Sequence, residues 1–193
     1  GSIKGWKAEN KGVRGNLFED FKENFKINVP EDFNFGFDIV DAWADQEPEK
    51  KALVWVNDHG EEKIFTFTDI KKLSNQTANF FKSLGVKKGD VVMLILRRRW
   101  EYWICATALH KLGATLIPGT LQLTKKDIVY RANAAHIKAI VCVNDQFVID
   151  QVEAAMPEAP CLENRILVVD KREGWLCFEE EIAKFSDEFP RPT

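Results

Sequence analysis

A chain of 193 residues, 45% hydrophobic and 30% charged, is long enough for one globular domain with an N-terminal arm and buries a core without a disulfide or metal staple. Its 30 acidic residues against 27 basic ones leave a net charge of −3, which excludes a nucleic-acid partner because phosphate neutralisation needs a basic face. The four cysteines form no Cys-x-x-Cys pair and have no histidine at metal-ligand spacing, no apolar run reaches the ~18 residues of a membrane span, and the N-terminus lacks a signal peptide's apolar segment, so the expected location is the reducing cytoplasm.

Residues 1–35 are polar apart from Asn16 to Phe25, where Leu17, Phe18, Phe21 and Phe25 recur at helical spacing; this is expected to be an arm with a short amphipathic helix. In FGFDIVDAWADQEP, Phe37, Val40 and Trp43-Ala44 share one helix face, and Pro48 closes the helix. ALVWVND and EKIFTF, separated by Asp58-His59-Gly60, predict an antiparallel hairpin. TFTDIKKLSNQTANFFKSLG predicts an amphipathic helix with Ile70, Leu73, Thr77, Phe80, Phe81 and Leu84 as its apolar stripe and Gly85 as a left-handed C-cap.

VVMLIL (91–96) is apolar at every position, as a parallel strand covered on both faces should be. Trp100 to Leu112 is apolar nearly all round and predicts a buried helix ended by Gly113; TLI (115–117) is the next strand. Thr124 to Asp127 fits a capping box, followed by a helix with Ile128, Ala132 and Ala135 facing inward. AIVCV (139–143), a helix from Gln146 to Ala155, ILVV (166–169) and a last short helix from Phe178 to Phe185 continue the alternation. Cys105 and Cys142 fall inside apolar runs and read as small core residues.

The fold class is therefore α/β, a doubly wound, mainly parallel sheet with flanking helices, plus a small antiparallel hairpin. Residues 1–35 form the arm, 36–189 the α/β body, and 190–193, with Pro190 and Pro192, the start of a linker.

Several chemistries are absent. No Gly-x-Gly occurs, no Gly-x-x-x-x-Gly-Lys-[Ser/Thr], and no Gly-x-Ser-x-Gly, which removes the dinucleotide fingerprint, the P-loop and the hydrolase elbow. The three histidines, His59, His110 and His136, are far apart, and each reads as a turn or helix-surface residue rather than a catalytic one, since a general base needs an oriented partner. No catalytic residue and no metal ligand is assigned.

Ligands of open parallel sheets bind outside the carboxyl ends of the strands. Those ends carry Arg97-Arg98-Arg99, Pro118 to Gln122, Asn144-Asp145 and Asp170. The arginines either grip a phosphate or pair with surface carboxylates such as Glu101. Gly119 is either a backbone bend or a place of close ligand approach, and Gln122 either a solvated amide or a contact to an amide-bearing ligand.

FNFGFDIVDAWA, ALVWVNDHGEEKIFTFTDI and LGVKKGDVVMLILRRRWEYWICATALHKLGATLIPGTLQLTKKDIVYR, within a stretch from about Phe33 to Phe185, closely resemble the N-terminal portion of the adenylate-forming (AMP-binding) acyl-CoA synthetases. The most specific part is Pro-Gly-Thr-x-Gln-x-Thr-x-x-Asp-Ile-x-Tyr-Arg at 118–131. It points to the medium-chain branch and its acetyl-CoA synthetase-like bacterial relatives. The resemblance implies a parent ligase that uses ATP, Mg²⁺ and coenzyme A to activate a small carboxylic acid as an acyl-adenylate and pass it to CoA.

Carried over by the same resemblance, Gln122 is the expected CoA contact, with Thr120 and Gly119 implied by adjacency. The family's phosphate loop ending in Pro-Lys and its later motifs have no counterpart among these residues, so the chain alone is expected to be inactive and to hold no cofactor of its own. It is also expected to expose apolar surface that the rest of the parent would cover, and to self-associate through it. The competing reading is a stand-alone doubly wound binding or interaction module without catalysis.

Overall fold

The computed structural model describes residues 31–192, so the amphipathic stretch Asn16 to Phe25 lies outside the described residues. The chain from Asn34 onward forms a unit of its own. It opens with helix α1, a π-helical turn over Phe35–Asp41 that runs on as α-helix over Ala42–Gln46. Asn34 caps it, its Oδ1 accepting from the N–H groups of Gly36 and Phe37. The spacing predicts an ordinary helix here, and the wide turn is the difference. It seats Gly36 where a Cβ would stand 2.5 Å from Lys111 Cγ, and it delivers Asp41 to the Lys111 ammonium.

Strands β1 (Lys51–Val56) and β2 (Glu62–Thr66) form the expected antiparallel hairpin. Asn57 Oδ1 accepts from the N–H groups of His59 and Glu61, and Gly60 takes φ +79 to close the turn. Thr66 and Asp69 form a capping box for helix α2, Phe67–Ser83, and Gly85 follows its end at φ +85.

The main sheet holds β3 (Val91–Ile95), β4 (Thr115–Pro118), β5 (Ile137–Cys142), β6 (Asn164–Leu167) and β7 (Leu176–Cys177), parallel throughout, in the order β4-β3-β5-β6-β7. Its helices are α3 (Glu101–Leu112), α4 (Lys125–Ala135), α5 (Gln146–Ala155) and the short α6 (Phe178–Ile182). The two-residue β7 has no periodic signal; its register against Ile166 and Leu167 makes it a strand.

Side-chain alternation splits the interior into two cores. Val92, Leu94, Ala139, Val141 and Ile166 face α1, α2, α3 and α6, while Met93, Ile95, Ile140, Cys142 and Leu167 face α4 and α5. Helices on both faces are what strands with no polar position require. Eight of the twelve residues of α3 are buried, which explains its lack of a polar face.

The predicted caps also form. Gly113 ends α3 at φ +71, and Thr124 and Asp127 bond reciprocally at the start of α4. In α4, Ile128 and Ala132 are buried, whereas Ala135 is only half-buried at the last turn.

Candidate functional site

The strand order reverses around β3: the chain leaves β3 through α3 on one face to reach β4, then returns through α4 on the other face to reach β5. The crevice at such a reversal is where open α/β sheets bind ligands. Here it is flanked by the loops after β3 and β5, and β4 lies on its outer side as the edge strand.

After β3 the chain turns sharply. Leu96 is fully buried and Arg97 adopts φ +47, a left-handed conformation uncommon for a side chain of this size. Arg97 and Arg98 are exposed, and neither side chain makes an ion pair among the described residues. The Arg98 carbonyl accepts the Trp55 Nε1 hydrogen at 2.7 Å, which ties the hairpin to this loop.

Arg99 turns inward. Its Nε and Nη2 reach Glu101 at 2.9 and 2.6 Å, and its guanidinium lies 4.7 Å over the Trp55 ring. Pairing of an arginine with Glu101 is one of the two readings of the triplet, and it applies to Arg99. Glu101 itself is not a surface carboxylate: it is 0% exposed. A bidentate, partly desolvated pair of this kind is far firmer than a surface one.

At the β4 end, Pro118 removes a backbone donor at no cost to the ladder, because β4 is the edge strand. The Gly119 N–H then donates to Leu94 O at 2.8 Å. A Cβ at Gly119 would stand 2.9 Å from both Ile95 Cγ1 and Leu123 Cδ1. The core packing beneath the loop therefore favours glycine whatever lies above it, since any larger residue would have to displace Ile95 and Leu123. Thr120 and Gln122 are exposed, and the Gln122 carboxamide has no side-chain partner among the described residues. These three residues occupy one loop at the end of β4.

The remaining ends are cross-tied. Asp145 caps α5 by accepting from the Val148 N–H, and Asn144 Nδ2 donates to Asp170 Oδ2 at 3.0 Å. Val169, at φ +75, donates its N–H to Glu179 Oε1 at 2.8 Å.

An open cleft of about 840 Å³ runs between the hairpin and these ends, lined by Trp55, Lys63, Arg99, Trp100, Asp170 and Lys171, with Glu61, Glu62, Glu101, Glu179 and Glu180. It brings Arg99 and Asp170 together. The Gly119–Gln122 loop does not line it. Both indole faces in the cleft are covered by cations of the chain itself, Arg99 over Trp55 and Lys63 over Trp100. Among the described residues, no group of three or more His, Cys, Asp or Glu side chains is arranged to hold a metal ion. His59, His110 and His136 are all exposed and lie on separate elements.

Sequence reasoning missed a buried, triply bonded cation. Lys111 Nζ, fully buried, donates to Asp41 Oδ1 at 2.7 Å, Ser74 Oγ at 2.9 Å and Asn75 Oδ1 at 2.7 Å. Burial pushes Lys111 below its ordinary value and Asp41 above its own, and the bond between them opposes both shifts. Three ammonium hydrogens meet three acceptors, so the pair is satisfied as charged. The only sequence signal was a lysine inside a helix with no polar face.

The fold is that of an α/β domain of the adenylate-forming class, and residues 40–192 match the AMP-binding enzyme family. The chain belongs to that family. Over 177 residues it is 36% identical to the mitochondrial acyl-coenzyme A synthetase ACSM3 of Pongo abelii, covering 88% of this chain and 30% of that protein. Against the mitochondrial acyl-coenzyme A synthetase ACSM5 of Rattus norvegicus it is 38% identical over 170 residues, covering 84% of this chain and 29% of that protein.

Among solved structures, the anthranilate CoA ligase AuaEII, in complex with anthranoyl-AMP, superposes with a TM-score of 0.73 at 22% identity, covering 85% of this chain and 30% of that one. The acetoacetyl-CoA synthetase from Streptomyces lividans gives a TM-score of 0.70 at 19% identity, covering 78% of this chain and 25% of that one. The chain thus spans about 30% of the length of the curated relatives it matches, their N-terminal part. No helix among the described residues is long and apolar enough to cross a membrane.

Proposed function

We propose that these residues are the N-terminal part of an AMP-forming acyl-CoA synthetase, which joins a carboxylic acid to coenzyme A at the expense of ATP, and that they do not catalyse the reaction alone. The family match over residues 40–192, at this fraction of the relatives' length, carries the reading.

The chemistry of such an enzyme follows from leaving-group ability. A carboxylate is a poor electrophile; its oxygen attacks the α-phosphorus of ATP, pyrophosphate leaves, and the acyl-adenylate then loses AMP to the CoA thiolate. Mg²⁺ would neutralise phosphoryl charge in the first step. The sequence has no phosphate loop, and no residue of this chain is assigned to that ion, so neither step is routed through this chain.

The contribution assigned to this chain is binding. Gln122 presents an unengaged carboxamide, a double-ended hydrogen-bonding group suited to the amide-bearing arm of CoA. Thr120 and Gly119 form the same lip, and the Ile95–Gly119–Leu123 packing holds it in place. Four free cysteines among the described residues suit a reducing compartment, either the cytoplasm expected from composition or the mitochondrion of the two mammalian relatives.

The test compares two proteins. The 193-residue chain, given ATP, Mg²⁺, CoA and a panel of acetate, branched short acids and medium-chain acids, is expected to release no pyrophosphate. The same reading frame extended to the length of the relatives is expected to release it and to form acyl-CoA from at least one acid. Turnover by the chain alone would overturn the division of labour. An extended protein inert toward the whole panel would favour the stand-alone binding module.

A further inference from the structure

The four cysteines sit in different surroundings, and one has a base beside it. Cys105 and Cys142 are fully buried, one in each core. Burial pushes both thiols up, and the negative charge of Glu101 adds to the effect at Cys105. Cys177 is half-buried with its Sγ 3.6 Å from Glu179 Oε2, a carboxylate. Cys161 is half-buried on the turn before β6, and its Sγ lies 3.5 Å from His136 Nδ1. A thiol within reach of an imidazole is the pairing of a nucleophile with its base.

The backbone holds this pair from both sides. His136 caps α4 in the left-handed conformation, φ 52 and ψ 51, while its N–H donates to Ala132 O. That conformation is a common one where a helix ends, and histidine is among the side chains enriched in it. On the facing turn, Asn133 Nδ2 donates to Glu158 O at 3.0 Å, and the Leu162 N–H to Ala159 O at 2.9 Å. The Glu163 N–H donates to Lys138 O at 3.3 Å. The bonds of Asn133 to Glu158 and of Glu163 to Lys138 tie the segment around Cys161 to the segment around His136, while the Leu162–Ala159 bond closes the Cys161 turn itself. Neither side chain belongs to a hydrophobic core, so packing alone does not account for the contact.

We propose that Cys161, with His136 as its base, is the reactive thiol of this chain and a site of mixed-disulfide formation with low-molecular-weight disulfides of the glutathione type. In the tautomer carrying its proton on Nε2, His136 takes the thiol proton at Nδ1. The thiolate sulfur attacks one sulfur of the small disulfide, a new S–S bond forms as the old one breaks, and the other half leaves as a thiolate that takes up a proton. One small disulfide yields one mixed disulfide and one small thiol, so no further oxidant is required. This site is independent of the acyl-CoA synthetase reading.

The 193-residue chain is treated in its native state with oxidised glutathione, and separately with limiting iodoacetamide, and the modified cysteines are located by peptide mass mapping. Cys161 is expected to react first with both reagents, about tenfold faster than Cys177, with Cys105 and Cys142 modified only after denaturation. His136→Asn keeps a residue that tolerates the left-handed cap and should slow Cys161 severalfold while leaving the Cys177 rate unchanged. His136→Gly, which relaxes the cap, should slow it as much. Cys177 reacting as fast as Cys161 overturns the proposal, as does a Cys161 rate that holds or rises in both His136 variants.

Discussion

Lys111 joins three helices through one atom. Its Nζ reaches Asp41 on α1 and both Ser74 and Asn75 on α2, from a position on α3. Removing the ammonium while keeping the stem, as in Lys111→Met, strands three polar groups around an apolar side chain. Breaking a buried pair in this way typically costs about 3–5 kcal/mol, and urea unfolding of this variant should show a loss of that size. Converting Asp41→Leu in the same chain removes the stranded carboxylate and should recover much of it. A loss no larger in the single variant than in the double one would mean that the pair carries no coupling.

None of this was legible locally, because the partners lie 70, 37 and 36 residues away in sequence. The Arg99–Glu101 pair, two residues apart, was among the readings available from sequence. The burial of Glu101 was not, since it depends on tertiary packing around α3. Gly119 was legible as a special position, but the reason found in the structure is the approach of Ile95 and Leu123 from below.

At the scale of elements, what short-range chemistry encodes was readable. The capping box at Thr124, the left-handed glycines Gly85 and Gly113 and the all-apolar β3 need only neighbours within a few residues. The π-helical opening of α1 and the two-residue β7 were not readable, because contacts with α3 and β6 shape them.

The segment before β7 is anchored by Glu153 on α5, whose Oε1 accepts from Arg172 Nε at 2.7 Å and Trp175 Nε1 at 2.9 Å. The Arg172 hydrogen bond, then that of Trp175, holds the Glu153 carboxyl below its ordinary value of 4.5. A carboxylate depressed in the fold adds stability above its unfolded value and loses it as pH falls through the folded one. Thermal unfolding between about pH 3 and pH 7 should therefore show Glu153→Gln converging with the parent chain at the acid end. The two should separate as pH rises past the ordinary value, with the parent chain the more stable. Parallel profiles across the range would show that Glu153 contributes nothing through its charge.

For the whole molecule, the doubly wound sheet followed from strands that could only be buried on both faces, while the strand order depends on pairings that no local pattern specifies. The hairpin illustrates the same division. Its two runs were legible as strands, but the face they would bury was not: Phe65 is buried, and Leu53 and Trp55 pack against the first core. The outer face carries Val54, Val56 and Ile64, exposed by 53%, 58% and 45%, with Val54 directly opposite Ile64 across the ladder. A two-stranded sheet also has two open edges, each with unpaired backbone groups.

Adjacent β-branched side chains beside open edges favour pairing with the same face of a second copy, which would bury apolar area from both chains. Sedimentation velocity should show the 193-residue chain associating as its concentration rises. The triple variant Val54→Thr, Val56→Thr, Ile64→Thr keeps strand propensity while removing apolar contact, and it should remain monomeric over the range in which the parent chain associates. Association that persists in the triple variant would move the contact elsewhere on the surface. A parent chain that stays monomeric at every concentration would show that three exposed aliphatic side chains on a hairpin do not outweigh the cost of ordering two copies against each other.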